Sequence, residues 1–161
     1  MKLFSVIILS LFFALNAFGQ ADSGYTNKAE AKNLTVNGKR EGKWIKFYSE
    51  YNEALTDSVS ATFYSLVIYK GGELYGKGRN YYMNGQLSRE CSYKNGKLDG
   101  LANVYFKSGI IKGQMTFAKG ILNGPAKEYY DDGKVKATVV YTNGVKGVIK
   151  NYDENGKQIN N

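Results

Sequence analysis

Glycine recurs along this chain on a fixed beat, and that beat limits the fold more than any other feature. One register runs Gly76, Gly100, Gly124, Gly147, a second Gly85, Gly109, Gly133, Gly156, and a third Gly72, Gly96, Gly120, Gly144. The steps are 24 residues, shortening to 23 at the last step of the first two. Aromatic residues keep the same period: Phe47-Tyr48, Tyr81-Tyr82, Tyr105-Phe106, Tyr129-Tyr130 and then Tyr152, with Tyr69, Tyr93, Phe117 and Tyr141 in a second series. A repeat of this length is one supersecondary unit that buries its apolar side only by stacking on its neighbours. Six Asn-Gly pairs, at 37, 84, 95, 123, 143 and 155, add the strongest two-residue hairpin signal, because both residues tolerate positive φ. The expected fold is all-β: a tandem array of antiparallel hairpins forming one elongated sheet. Each unit is a glycine, a strand ending in two aromatics, a turn, a second strand ending in an aromatic, and a looser turn.

A two-residue turn at Asn84-Gly85 fixes a pairing in which directly opposed residues share a face. One face collects Tyr82/Leu87, Asn80/Arg89, Gly78/Cys91 and Gly76/Tyr93. The next units add Phe106/Ile111, Val104/Gly113, Ala102/Met115 and Gly100/Phe117, then Tyr130/Val135, Glu128/Ala137, Ala126/Val139 and Gly124/Tyr141. Small residues oppose larger ones, so this reads as the buried face, with each leading glycine covered by an aromatic. Cys91 falls in the column Val67, Cys91, Met115, Val139 and reads as a small core hydrophobe. The other face collects Tyr81/Ser88, Arg79/Glu90, Lys77/Ser92, Tyr105/Lys112, Tyr129/Lys136 and Lys127/Thr138. It is polar except for an aromatic column of Phe47, Tyr81, Tyr105, Tyr129 and Tyr152, recurring about every 10 Å. Arg79 and Glu90 are expected to form a cross-strand ion pair.

The segments 76–85 (GKGRNYYMNG), 93–100 (YKNGKLDG) and 123–133 (NGPAKEYYDDG) resemble the MORN family, in its bacterial variant repeats. The resemblance runs over about residues 35–159. A regular Tyr-Glu-Gly in the second strand is missing, and the first unit carries an insertion. The resemblance implies hairpin repeats serving as interaction surfaces, linked in some members to protein scaffolding and in others to phospholipid. Some bacterial relatives are labelled antitoxins, a role that sits badly with an export signal.

The N-terminus reads as such a signal. Met1-Lys2 is basic, Leu3 to Leu15 is apolar and uncharged, and Ala17-Phe18-Gly19 places small residues before a cut at Gln20. The apolar run is short of the ~20 residues of a spanning helix. The expected organisation is a signal peptide at 1–19, a polar segment at 20–34 and the repeat domain at 35–161, in a protein exported to the periplasm or outside the cell. Removing residues 1–19 takes away Lys2 and no acid, so the net charge falls from +8 to +7. That surplus is scattered, which argues against a nucleic-acid partner.

Chemistry is poorly supplied. The chain has no His, which removes the commonest general base and zinc ligand, and Cys91 has no cysteine to pair with. Asp131-Asp132 and Asp153-Glu154 fall in turns, where acids favour the backbone geometry. No Asp-x-Asp-x-Asp-Gly calcium loop occurs. No catalytic residue, metal or cofactor is expected.

Two surfaces are candidates for binding. The aromatic column, flanked by Arg79, Lys112, Lys127 and Lys136, suits a peptide, a glycan or an anionic lipid surface. The first unit is the second. Gly42 to Gly76 spans ten residues more than the repeat, with the excess near 49–68: a polar loop at Ser49–Asp57, then a long strand from Val59 to Tyr69. There Tyr64, Leu66 and Ile68 replace Ser88, Glu90 and Ser92, and Trp44, Ile45 and Phe47 lie nearby. Either segment 20–33 folds over this patch or a partner covers it. The reading is a non-catalytic binding or scaffold module for a protein partner, with self-association or a glycan or membrane surface as rivals.

Overall fold

The computed structural model describes residues 25–159, so the expected signal peptide and residues 20–24 lie outside the described residues. A single 3-10 turn at Lys28–Glu30 comes first. The strands are β1 (Leu34–Val36), β2 (Lys39–Tyr48), β3 (Ala54–Leu55), β4 (Phe63–Lys70), β5 (Glu73–Tyr82), β6 (Leu87–Lys94) and β7 (Lys97–Tyr105). They continue as β8 (Ile111–Ala118), β9 (Ile121–Tyr129), β10 (Val135–Thr142), β11 (Val145–Lys146), β12 (Lys150–Tyr152) and β13 (Gln158–Ile159). All join one open antiparallel sheet in the order β1-β2-β4-β5-β6-β7-β8-β9-β10-β12-β13, with β3 on β2 and β11 on β10. The tandem hairpin array is therefore the fold, and no α-helix occurs among the described residues.

The two turns of each unit are the reverse of expectation. Asn95-Gly96, read as the looser turn, is the tight one: Lys94 pairs with Lys97, and φ is 51° and 73° at the two central residues. Both values are positive, as a type I′ turn requires. At Asn84-Gly85 the Tyr82 N–H donates to the Gln86 carbonyl and the Gly85 N–H to the Tyr82 carbonyl, giving a three-residue loop. Tyr81 then opposes Leu87, not Ser88, and one extra residue in β6 restores Asn80 opposite Arg89. The same step puts Ile111 opposite Tyr105 and Val135 opposite Tyr129. Lys112 and Lys136 are thus the extra residues of β-bulges, not the partners of those tyrosines. Beyond each bulge the expected pairs hold: Gly78/Cys91, Ala102/Met115, Ala126/Val139 and Arg79/Glu90.

Asn123-Gly124 is not a turn at all; it lies inside β9. Gly124 has φ +121°, at a point where the β8–β9 register shifts between Met115 and Phe117. Gly100 has φ +100° at the equivalent shift between β6 and β7. Gly76, Gly100 and Gly124 are therefore set by positive φ rather than by an aromatic lid. The ring of Tyr93 instead approaches Gly78, where an added Cβ would meet Cε2 at 2.8 Å.

The first unit departs furthest. Its loop repeats the three-residue geometry, with Asn52 at φ 64° in the glycine position. The return strand β3 pairs with Phe47 and Tyr48 on the outer edge of β2, while β4 pairs with the same residues on the inner edge. The expected long strand from Val59 is shorter, beginning at Phe63. Asp57 Oδ1 accepts from the Val59 N–H at 2.9 Å, a local turn that competes with the ladder. Along that outer edge β1 covers Lys39–Glu41 and the Lys32 and Asn33 N–H groups donate to the Lys43 carbonyl. Asn33 also exchanges two bonds with the main chain of Ile45. The insertion and the segment before β1 thus close an edge that would otherwise recruit another strand.

Candidate functional site

Strand alternation divides β4 between two faces. Tyr64, Leu66 and Ile68 point to one, Val67 and Tyr69 to the other, and all five are buried. On the first face, the Tyr25 segment lies over the sheet. Tyr25, Tyr64, Leu66, Ile68 and Tyr81 form one buried cluster, with Ile45, Phe47, Leu87 and Ala31 packed against it. The cluster thus sits where the otherwise polar face is expected to turn apolar, and residues of segment 20–33 cover it. The face read as buried holds Ser65, Val67, Tyr69, Gly78, Cys91, Ala102 and Ala126 as buried residues.

The segment, here called the strap, is held by specific contacts. The Tyr25 hydroxyl donates to the Trp44 carbonyl. Arg79 Nη1 donates to the Tyr25 carbonyl at 3.4 Å. Lys28 Nζ stands 5.5 Å from the Tyr64 ring and Lys43 Nζ 5.4 Å from the Tyr25 ring. Lys43 also pairs with Glu30. Beneath, the Tyr64 and Tyr81 rings stack at 5.1 Å and 14°. Burial, and secondarily the Glu30 charge, push the Tyr25 phenol well above its ordinary range. Burial likewise raises Tyr64 and Tyr81.

Trp44 is not part of this cluster. It pairs with Val67 and faces the opposite side, where it meets Tyr69 edge-on at 5.7 Å and its indole N–H donates to the Glu41 carbonyl at 3.1 Å. The aromatic column does continue past Tyr81. Tyr105, Tyr129 and Tyr152 are half-buried, and no strap residue lies over them among the contacts described. Lys127 is exposed on the same face, whereas Lys136 is bonded to Glu128 at 2.8 Å and Lys112 stands 5.7 Å from the Phe106 ring.

Arg79 Nε binds Glu90 Oε2 at 2.7 Å, and Lys77 Nζ binds Oε1 at 3.1 Å. Burial pushes the Glu90 carboxyl up, but the Lys77 hydrogen bond and the two cationic charges outweigh it and hold it below the ordinary range. On the opposite face, Cys91 Sγ lies 3.3 Å from the Tyr93 hydroxyl, and burial pushes the thiol up, away from its nucleophilic form. An open depression of about 300 Å³ there is lined by Met115, Leu122, Val139, Tyr141 and Ile149 with Lys146 at hand. The turn acids serve the backbone: Asp132 Oδ1 accepts from the Lys134 N–H and Asp153 Oδ1 from Asn155 and Lys157. Among the described residues no three His, Cys, Asp or Glu side chains gather to hold a metal, and no helix is long and apolar enough to cross a membrane.

Tyr25 is the residue that sequence reasoning missed by name. It stands outside the repeat, so periodicity is blind to it; the only signal was the apolar patch that needed a cover.

Among the described residues, the open single-layer sheet engages its acids, lysines and aromatic rings in packing, turns and ion pairs. The family model for the MORN repeat variant matches residues 74–95 and 122–143. Each match spans one hairpin, β5–β6 and β9–β10, and the intervening hairpin β7–β8 keeps the same turns and bulge. A comparison with curated proteins returns no match.

Proposed function

We propose that this chain is an exported binding module whose partner is a protein, engaged along the strap face of the sheet. One observation carries this reading: a segment of the chain already lies on the aromatic row at Tyr64 and Tyr81, and the row runs on past it through Tyr105 and Tyr129. A face that seats one chain segment by aromatic packing and main-chain hydrogen bonds offers the same contacts to the next. Leu101 and Val140, 45% and 59% exposed on that face, extend its apolar area. Lys127 adds a cation beside it.

The test is retention on the immobilised protein with and without Tyr105→Ala/Tyr129→Ala. A protein held from envelope extract by the unaltered chain and lost from the double variant supports the reading. Retention on cell-wall glycan or anionic vesicles with no protein held, or protein capture indifferent to the two tyrosines, contradicts it.

A further inference from the structure

We infer that the strap is an occupant, in cis, of a peptide-binding cradle, and that the partner inserts a segment of the same chemistry in its place. The inference rests on the protein-binding reading above and deepens it by naming the site and what fits there.

The cradle reads its occupant at three points. The floor is the Tyr64–Tyr81 stack with Leu66 and Ile68, which takes one aromatic ring. The Trp44 carbonyl accepts a phenol hydroxyl, and the Arg79 guanidinium donates to the main-chain carbonyl of the same residue. Five positions further on, Lys43 takes a carboxylate, here that of Glu30. The fitting partner segment therefore carries a tyrosine followed five residues later by an acid.

Apart from Tyr25 and Ala31, which pack in the cluster, the strap is held at its surface. Residues 26–30 are exposed, and Tyr25 is the one buried side chain between positions 25 and 33. Its regular structure is a single turn, capped by Asn27 Oδ1 accepting from the Ala29 N–H. The Glu30–Lys43 pair is exposed, where ion pairs contribute little. The anchor points at Lys43 and Ile45 belong to Lys32 and Asn33, beyond the turn, and Asn33 adopts φ 49° where the chain leaves the edge. The strap can lift from Tyr25 to Ala31 while those edge bonds stay.

A strap that is closed most of the time lowers the apparent affinity of a competitor by the open fraction. The probe is a labelled, N-acetylated peptide of residues 25–33, titrated into the full chain and into the full chain carrying Tyr25→Ala. The expected result is binding to the Tyr25→Ala chain roughly tenfold tighter than to the unaltered chain, and lost when the peptide carries Tyr25→Ala. A peptide with Glu30→Lys is expected to bind more weakly. Equal binding to both chains, or binding to neither while circular dichroism shows the sheet intact, overturns the inference. So does loss of the sheet in the Tyr25→Ala chain, which would make the strap an inseparable part of the core. A stable mixed dimer on sizing the two chains together would make the occupant a second copy and overturn the choice of a separate partner. The titration reads the cradle alone, whereas capture through Tyr105 and Tyr129 reads the partner, so either can fail without the other.

Discussion

The Tyr25 hydroxyl donates to the main-chain carbonyl of Trp44, a residue whose own side chain points to the other face of the sheet. The strap is thus fastened to the backbone of β2 and not to a side chain that could rotate away. Replacing Tyr25 by Phe keeps the ring over Tyr64 and removes this one bond, at a cost of about 1 kcal/mol. Tyr25→Ala removes the ring as well and is expected to cost about 2–3 kcal/mol. That is below the ~3–5 kcal/mol of an interior aromatic, since water can fill the vacated site. Urea denaturation of both variants checks the order. Equal stability of all three chains would contradict the packing described.

Alkaline pH should loosen the strap. The folded Tyr25 phenol titrates above its unfolded value of 10.0, so the folded state holds its proton more tightly. Stability from this group is fully present below pH 10 and declines as pH rises above that value. Hydrogen exchange at the Ala29 and Ala31 amides, measured against Tyr25→Phe, should show the loss only where the phenol is present.

Glu90 behaves in the opposite sense. Its folded value is depressed by Lys77 and Arg79, so its contribution is present above the ordinary carboxylate range and lost as pH falls through the folded value. Glu90→Gln should flatten the acid limb of a melting-temperature profile below about pH 5 and lower the plateau above it. An unchanged profile would show that the pair carries no net stability.

Two glycines separate close approach from backbone conformation. Gly78 has ordinary φ, and an added Cβ meets Tyr93 Cε2 at 2.8 Å and Val67 Cγ1 at 3.2 Å. The Tyr93 ring can tilt, so Gly78→Ala should cost about 1 kcal/mol, the low end of overpacking. Gly124 has φ +121° and an added Cβ lies 3.1 Å from Thr116 Cβ. Strain and contact coincide there, and Gly124→Ala should cost about 2–3 kcal/mol. Thermal melts that reverse this order would contradict the account.

Asn33 closes the outer edge of the sheet by accepting from the Ile45 N–H at 2.9 Å and donating to its carbonyl at 3.3 Å. Asn33→Ala should leave that stretch of β2 unpaired. The expected readout is a concentration-dependent rise in sedimentation coefficient, because an open edge templates another strand.

The sequence carried the period, the open sheet and the Arg79–Glu90 pair, because glycine spacing and side-chain alternation report directly on hairpins. It hid the bulges for a definite reason. A three-residue loop followed by one extra residue returns Asn80 to Arg89, the same register that a two-residue turn implies. The departure is local to the loop: Leu87, Ile111 and Val135 pair with Tyr81, Tyr105 and Tyr129 and so lie on the strap face, not opposite Tyr82, Phe106 and Tyr130 on the other. It also misplaced Lys112 and Lys136. Asn-Gly alone could not distinguish the tight turn at 95, the wider loop at 84 and the strand position at 123, since φ > 0 suits all three. Trp44 neighbours Ile45 and Phe47 in the chain, but alternation sends it to the other face.

Site-specific photocrosslinking tests most directly whether the strap face is the one that meets a partner. A benzophenone side chain replaces Lys127 on the strap face in one chain and Arg89 on the opposite face in another, both positions being exposed. After irradiation in envelope extract, an adduct to a discrete protein from position 127 and none from position 89 is the predicted result. An adduct from position 89 with none from 127 would contradict it.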